Sequence, residues 1–209
     1  MRRLALVLAA ALAACSTNPV YYPQEQHRAI SLAPGELESA GVAFITPSTV
    51  TGQEQEKQAV ALTFAEVLKR ERPKLRVVTL AETLGAINGR GLGDAYRRMY
   101  DEYQQTGLFA ADALRRIADA GGVRYLAQLK LQGFSQGSKN RFGLLGFRVV
   151  DTQLGDLRLL LQVWDAQRGT IAWEGMQETH YAEDTFREKA VSLRTLVERT
   201  AHDLIARLP

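Results

Sequence analysis

Residues 157–176, LRLLLQVWDAQRGTIAWEGM, contain the clearest structural pattern in the chain. Apolar residues occupy every second position at the start of this stretch, which is the period of a strand with one buried face. These residues are Leu157, Leu159, Leu161 and Val163. Residues 165–169 have the composition of a turn, and residues 170–176 have that of a return strand. The stretch therefore predicts a β-hairpin.

Upstream of the hairpin the chain switches from a helical period to a strand period. Residues 123–131 alternate between apolar and polar side chains, which predicts another strand. Before them, residues 41–46 (GVAFIT) predict a buried strand, and Thr79-Leu80-Ala81-Glu82 matches a capping box that opens a helix. A stripe at helical spacing then predicts a helix packed on the core. The stripe consists of Tyr96, Met99, Tyr100 and Tyr103.

The order of these elements predicts the fold class. Helical segments separate the early strands, and the apolar face of residues 190–208 predicts a long amphipathic helix at the C-terminus. We expect one α/β (α+β) domain, with a mixed sheet of about four to five strands and helices packed on it. Its boundaries are predicted at residues 41–209.

The N-terminus reads as an export signal. Arg2 and Arg3 precede an apolar run, residues 4–11, that is too short to span a bilayer as a helix. Small residues then lead to Cys15, a pattern that resembles a bacterial lipoprotein signal with its lipobox. The resemblance implies a signal peptide over residues 1–14 and acylation of Cys15. The alternative is an ordinary signal peptide that leaves a free thiol. Residues 15–40, with three prolines and no persistent period, predict a tether.

Composition and charge exclude several classes of protein. The chain has 209 residues, of which 46% are hydrophobic and 23% are charged, the balance of a globular protein. Removal of Arg2 and Arg3 with the signal lowers the formal net charge from +3 to +1, which does not favour a nucleic-acid partner. A single cysteine excludes a disulfide framework and a multi-cysteine zinc site.

Two motifs resemble catalytic or phosphate-binding loops without their context. Residues 133–137 match G-x-S-x-G around Ser135, and Asp165, His180 and His202 nominally complete a triad. However, a nucleophile elbow needs a helix after the serine, so a Gly/Ser turn between strands is favoured. Residues 89–93 (GRGLG) lack the preceding strand of a dinucleotide site, which favours a turn between helices. The three histidines, His27 included, are not at metal-ligand spacing. We therefore predict no enzyme activity, no metal and no cofactor.

Residues 142–150 (FGLLGFRVV) are apolar where a short polar turn would be sufficient. Three interpretations remain open: another strand of the sheet, a contact with another subunit, or a contact with lipid. The candidate contact residues are four apolar side chains with two flanking basic ones. They are Phe142, Leu144, Leu145 and Phe147, flanked by Lys139 and Arg141.

The lipobox, the order of elements and the hairpin pattern D-x-x-x-G-x-I-x-W-E, here residues 165–174, together resemble the CsgG/PelC/LpoB-like group of envelope lipoproteins. The resemblance implies an α/β domain similar to the N-terminal domain of TolB, and a palmitate-bearing anchor at Cys15. It implies a location on the periplasmic face of the outer membrane. The implied function is a non-enzymatic secretion or export accessory, as an oligomeric ring. The alternative is a monomeric regulator that binds an envelope enzyme such as a peptidoglycan synthase.

Overall fold

The computed structural model describes residues 20–49, 55–144, 147–185 and 191–209. The strands in these ranges are β1 (Val20–Ala29), β2 (Val42–Phe44), β3 (Ser48–Thr49), β4 (Val77–Val78), β5 (Tyr125–Leu144), β6 (Phe147–Asp165) and β7 (Thr170–Thr185). The helices are α1 (Glu36–Ala40), α2 (Glu56–Glu71), α3 (Leu80–Gly89), α4 (Gly93–Thr106), α5 (Ala111–Gly121) and α6 (Leu193–Ile205).

All of these strands belong to one mixed sheet in the order β1-β7-β6-β5-β2-β4, with β3 beside β5. Neighbouring strands in the run β5-β6-β7-β1 are antiparallel. In contrast, β2 is parallel to both β4 and β5, and β3 is parallel to β5. The predicted mixed α/β domain with a C-terminal amphipathic helix is confirmed, but the sheet has seven strands where four to five were expected.

One face of the sheet packs against α2 and α6. The alternating apolar residues of the hairpin pattern lie in this layer, each at most 1% exposed. Phe64 from α2, with Val197 and Leu204 from α6, belong to the same cluster. Burial of each such side chain contributes about 1.5–3 kcal/mol, so this layer supplies much of the driving force for folding.

The other face is covered only in part, by α3, α4 and α5. Their cluster contains Met99 and Leu114 against Leu126 and Trp164 of the sheet. The predicted stripe of α4 is confirmed as core packing, since its tyrosines pack against this cluster. Two of them also fix the loop after β2, because Thr46 N donates to Tyr96 Oη at 2.8 Å and the Tyr100 hydroxyl donates to Thr46 O at 2.6 Å.

Local sequence signals set the ends of two helices, one of them the predicted capping box. At the start of α3, Thr79 Oγ1 accepts from Glu82 N, and the Glu82 carboxylate accepts from Thr79 N at 2.7 Å, which completes the capping box. The helix α5 stops where Gly122 takes a left-handed conformation with φ of +64°. A side chain there would be strained, so glycine ends this helix at low cost.

The N-terminal segment corrects one expectation. The sequence predicts a tether over residues 15–40, whereas Val20–Ala29 pairs along its whole length with β7 and Glu36–Ala40 forms α1. Edge strand β1 is exposed from Gln24 to Ala29, so it carries no apolar alternation that the sequence would reveal. Its order comes from pairing with β7. The described part of the domain therefore begins at Val20, five residues after Cys15.

Candidate interaction surface

One end of the sheet carries the start of β1, the end of β5 and the start of β6; we call it the tip end. Val20 pairs with Ala182, Ala182 with Leu154, and Leu154 with Gly137, so one row crosses four strands. Beyond this row β5 continues for seven residues to Leu144. At about 3.4 Å per residue this extension is about 24 Å long. The N-terminal strand and the β5–β6 hairpin therefore leave the domain at the same end.

The predicted contact residues lie at this end, in a segment that we call the hairpin tip (residues 139–144 and 147–150). In it Lys139 pairs with Thr152, Phe142 with Val150, and Leu144 with Phe147. Arg141 belongs to the same strand, and Leu145 lies outside the described residues. Residues 142–144 and 147–150 are thus the ends of two paired strands and not an additional strand. Contact with lipid or with a subunit stays a prediction.

Tyr21 fastens β1 to α6. Its hydroxyl donates a hydrogen bond to the Asp203 carboxylate, and the Arg199 guanidinium lies 6.0 Å from its ring centroid. The same guanidinium lies 4.8 Å from the ring of Tyr181, the residue paired with Tyr21. Burial raises the pKa of the Tyr21 hydroxyl well above its ordinary value, and the bond to Asp203 raises it further. The strand β1 is therefore held on both the sheet and the helix layer.

The G-x-S-x-G motif lies inside β5, which corrects the predicted turn. Gly133 and Gly137 pair with Arg158 and Leu154 of β6, and a Cβ at either glycine would meet only open space. The β5–β6 ladder therefore runs through the motif without a turn. Ser135 consequently lies on the exposed face of the sheet and not at a strand-to-helix elbow.

The partners of Ser135 are arranged differently from a catalytic triad. The Ser135 hydroxyl donates to Asp156 Oδ2 at 2.9 Å, and His180 Nδ1 lies 2.8 Å from Asp156 Oδ1. The hydrogen bond with His180 lowers the pKa of Asp156. A serine nucleophile needs the imidazole beside its hydroxyl, with the carboxylate behind the imidazole. Here the carboxylate lies between the two, so His180 is not positioned to take the Ser135 proton.

The other nominal triad members are far from Ser135. Asp165 is nine residues from Asp156 along β6, about 30 Å at the rise of a strand. His202 lies on α6, where its Nδ1 is 2.9 Å from Glu71 of α2. His27 is exposed on β1. The GRGLG segment joins α3 to α4, as predicted for a turn between helices.

Asp165 stands at the opposite end of the sheet, in a structural role that the sequence analysis did not assign. Its side chain is 1% exposed and accepts from Arg124 Nη2 at 2.6 Å. It also accepts from the backbone N–H of Gln167 at 3.0 Å, which closes the turn between β6 and β7. Burial raises the pKa of Asp165, but these hydrogen bonds outweigh it and hold the pKa below its ordinary value. Asp165, the aspartate of the hairpin pattern, thus stabilises the fold.

The described ranges hold neither a membrane-spanning helix nor a cluster of metal-binding side chains. None of their helices is both long and apolar enough to cross a membrane. None of their clusters of three or more His, Cys, Asp or Glu side chains is suited to hold a metal ion.

No family model matches this chain, and no curated protein matches it. Similar solved structures include a PelC dodecamer from Paraburkholderia phytofirmans, with 11% identity and a TM-score of 0.48 over 90% of this chain and 97% of that one. Lipoprotein GNA1162 from Neisseria meningitidis has 13% identity and a TM-score of 0.42 over 80% and 98% of the two chains. The LpoB C-terminal domain from Escherichia coli has 16% identity and a TM-score of 0.37 over 66% and 82%. These similarities are distant and concern the fold alone.

Proposed function

We propose that this chain is an outer-membrane lipoprotein, anchored through Cys15 and facing the periplasm. In this proposal it is a non-enzymatic assembly or export component of the cell envelope and forms an oligomeric ring. The observation that carries the proposal is the shared position of the β1 start and the hairpin tip at one end of the sheet.

The distances at the tip end support a domain seated directly on the membrane. Val20 lies five positions after Cys15, and a fully extended chain spans at most about 18 Å over that separation. The hairpin extends about 24 Å past the row of Val20. A lipid on Cys15 therefore brings the hairpin tip to the depth of the acyl chains. The apolar residues of its sequence suit that depth, and Lys139 and Arg141 suit the anionic head groups.

The short segment between Cys15 and Val20 also weakens the alternative of a monomeric regulator. A tether over residues 16–40 would reach up to about 85 Å, which would allow contact with enzymes well away from the outer membrane. The observed domain begins at Val20, so the reach falls to about a fifth of that value. A component that acts at the membrane surface fits this reach better than one that acts across the periplasm.

The geometry at Ser135 supports a function without catalysis. A carboxylate that accepts from both Ser135 and His180 stabilises the cross-strand row and leaves the serine without a base. The exposed sheet face around it is a set of paired polar side chains, such as Arg158 with Glu178 at 2.5 Å. Such a face is suited to contacts with other molecules.

The test combines acylation with molecular mass. The full chain, expressed with its leader, should incorporate labelled palmitate, fractionate with the outer membrane and sediment in detergent as a multiple of the monomer mass. Cys15→Ser should lose the label and the membrane fraction. Ser135→Ala, the matched control, should behave as the wild type in all three measurements. An unlabelled wild type would contradict the anchor, and a monomer at every concentration would favour the regulator.

A further inference from the structure

Strand β1 adds little to the core, although it pairs with β7 along its whole length. Its six residues from Gln24 to Ala29 are all exposed, and their side chains alternate between the two faces of the sheet. The strand beside it differs, since Ala172 and Trp173 of β7 are fully buried. Because neither helix layer buries residues 24–29, this half of β1 is held mainly by its ladder with β7. It lacks the apolar burial that fixes the other strands in place.

The composition of β1 also disfavours a permanent strand. Residues 23–26 read PQEQ. Proline and glutamate are depleted in strands, and Pro23 has no N–H to give to a ladder. Such a segment gains little from docking to set against the backbone freedom that docking removes. Segments with few buried apolar contacts are those that open locally while the rest of a domain stays folded.

Side-chain contacts fasten β1 at two points. The Tyr21 hydroxyl donates to Asp203 of α6, at the tip end. Four residues further on, Glu25 pairs with Arg207 at 2.7 Å, and both of these side chains are exposed. An ion pair that is exposed to water contributes little to stability. Tyr21 is therefore the main fastening among the described side chains of β1.

The chain becomes part of the core immediately after β1. The N–H groups of Ile30, Ser31 and Leu32 all donate to Ala172 O, at 2.9–3.1 Å. Leu32 is 5% exposed and belongs to the same core cluster as the residues of α2 and α6. Leu32 is therefore a fixed point, and a segment freed by the release of β1 ends at residue 31.

The position of Leu32 links the release of β1 to the orientation of the domain. Val20 lies at the tip end, and Ala29 is nine residues further along β1, about 31 Å at the rise of a strand. With β1 docked, an anchor at Cys15 holds the domain by its tip end. With β1 released, the same anchor holds it near the opposite end, by Leu32, 17 positions after Cys15. A flexible chain of that length lets the domain turn, so the hairpin tip is no longer kept at the membrane.

We infer that β1 is a detachable strap. Docked on β7, it holds the tip end at the membrane. Released, it frees the domain to turn on its anchor while the rest of the fold stays intact. This inference rests on the proposed function, because the anchor at Cys15 is what makes the docking of β1 set an orientation.

Hydrogen exchange tests whether β1 opens by itself. The lipidated chain is placed in vesicles of phosphatidylethanolamine and phosphatidylglycerol. Exchange is followed by mass spectrometry in β1 and in residues 157–163 of β6, which are paired on both sides. We expect the slowest amides of β1 to exchange at least about tenfold faster than the slowest amides of this β6 segment. Equal rates would overturn the inference, since β1 would then open only with the whole domain.

Two variants separate release from general instability. Arg28 and Glu174 are directly paired, so a disulfide in the double variant Arg28→Cys with Glu174→Cys staples β1 to β7. The oxidised form should exchange its β1 amides at least about tenfold more slowly than the reduced form, which is the matched control. Tyr21→Phe removes the bond to Asp203 and should raise the β1 rate at least about threefold, with the β6 rate unchanged. A staple without effect, or equal acceleration of β1 and β6, would overturn the inference.

A third variant tests the consequence for orientation. Successive N–H groups of a strand point to opposite sides, so Gln26→Pro with His27→Pro removes a ladder bond whichever of the two faces β7. The variant should stay folded and acylated, and quenching of a Phe147→Trp fluorophore by brominated acyl chains in the vesicles should fall at least about twofold. Unfolding or unchanged quenching would overturn the inference. If the wild type takes up no palmitate, the proposed function fails, whereas the exchange rates still decide whether β1 opens.

Discussion

Asp165 stabilises the β6–β7 turn, and one substitution can test that role. Its buried carboxylate accepts from Arg124 and from the backbone of the β6–β7 turn. We predict that Asp165→Ala lowers the free energy of unfolding by about 1.5–3 kcal/mol, because Arg124 keeps only Glu36 as a partner and the N–H groups of the turn lose their acceptor. Asp165→Asn keeps an acceptor for the turn and should cost less. Urea unfolding of the two variants measures the difference, and equal stability of Asp165→Ala and the wild type would contradict the assignment.

The same residue predicts a pH dependence. The pKa of Asp165 is lower in the folded than in the unfolded chain, so its contribution is complete above the ordinary aspartate pKa of about 3.9. That contribution is lost as the pH falls through the lowered folded value. The stability gap between the wild type and Asp165→Asn should therefore shrink below about pH 4. A gap that stays constant in acid would show that Asp165 is not the group responsible.

Gly169, in the same turn, is restricted by backbone conformation and by space. It has a φ of +70°, and a Cβ there would lie 2.5 Å from the Cβ of Ala111. We predict that Gly169→Ala costs about 1–3 kcal/mol in thermal or urea unfolding. Gly85→Ala is the matched control, since Gly85 is helical with open space around it and should gain up to about 1 kcal/mol. Equal effects of the two substitutions would contradict the packing argument.

At the scale of elements, the sequence predicts those strands and helices whose buried faces follow a period. Strand β6 shows its period because Leu157 to Val163 face the α2–α6 layer. Strand β1 shows none, because residues 24–29 are exposed. Its pairing with β7 is a long-range contact that no local pattern encodes. The predicted tether fails for that reason.

The sequence predicts which residues make up the candidate site but not the strands that carry them. The apolar composition of residues 142–150 marks it in the sequence. Its place at the end of two long strands was missed, because the two glycines at 133 and 137 suggest a turn where β5 continues. Its alignment with the N-terminus depends on β1, which the sequence does not predict. The juxtaposition that supports the proposed function therefore required the structure.

The hairpin tip predicts a measurable affinity for lipid. The leaderless chain beginning at Ser16 should bind anionic vesicles weakly, and the double substitution Leu144→Ser with Phe147→Ser should reduce binding at least about tenfold, since burial of one such side chain contributes about 1.5–3 kcal/mol. Vesicle co-sedimentation measures this. Leu108→Ser, at a residue 64% exposed beside the helix layer, is the control and should bind as the wild type. Unchanged binding of the double variant, with its fold intact, would contradict lipid contact.

At the scale of the whole molecule, the sheet has two different ends. One is closed by the Asp165 turn under α5, and the other carries the start of β1 and the hairpin tip. The helix layers cover the sheet between them. This polarity means that a single lipid at Cys15 orients the whole domain. We propose that the tip end faces the membrane.

Depth-dependent quenching tests that claim most directly. Phe147→Trp and Gln167→Trp place a fluorophore at each end, against the same background from Trp164 and Trp173, which are at most 2% exposed. Each lipidated variant is placed in vesicles with and without brominated acyl chains. We predict strong quenching for Phe147→Trp and none beyond background for Gln167→Trp. Quenching of Gln167→Trp, or its absence in Phe147→Trp, would contradict an orientation with the tip end toward the membrane.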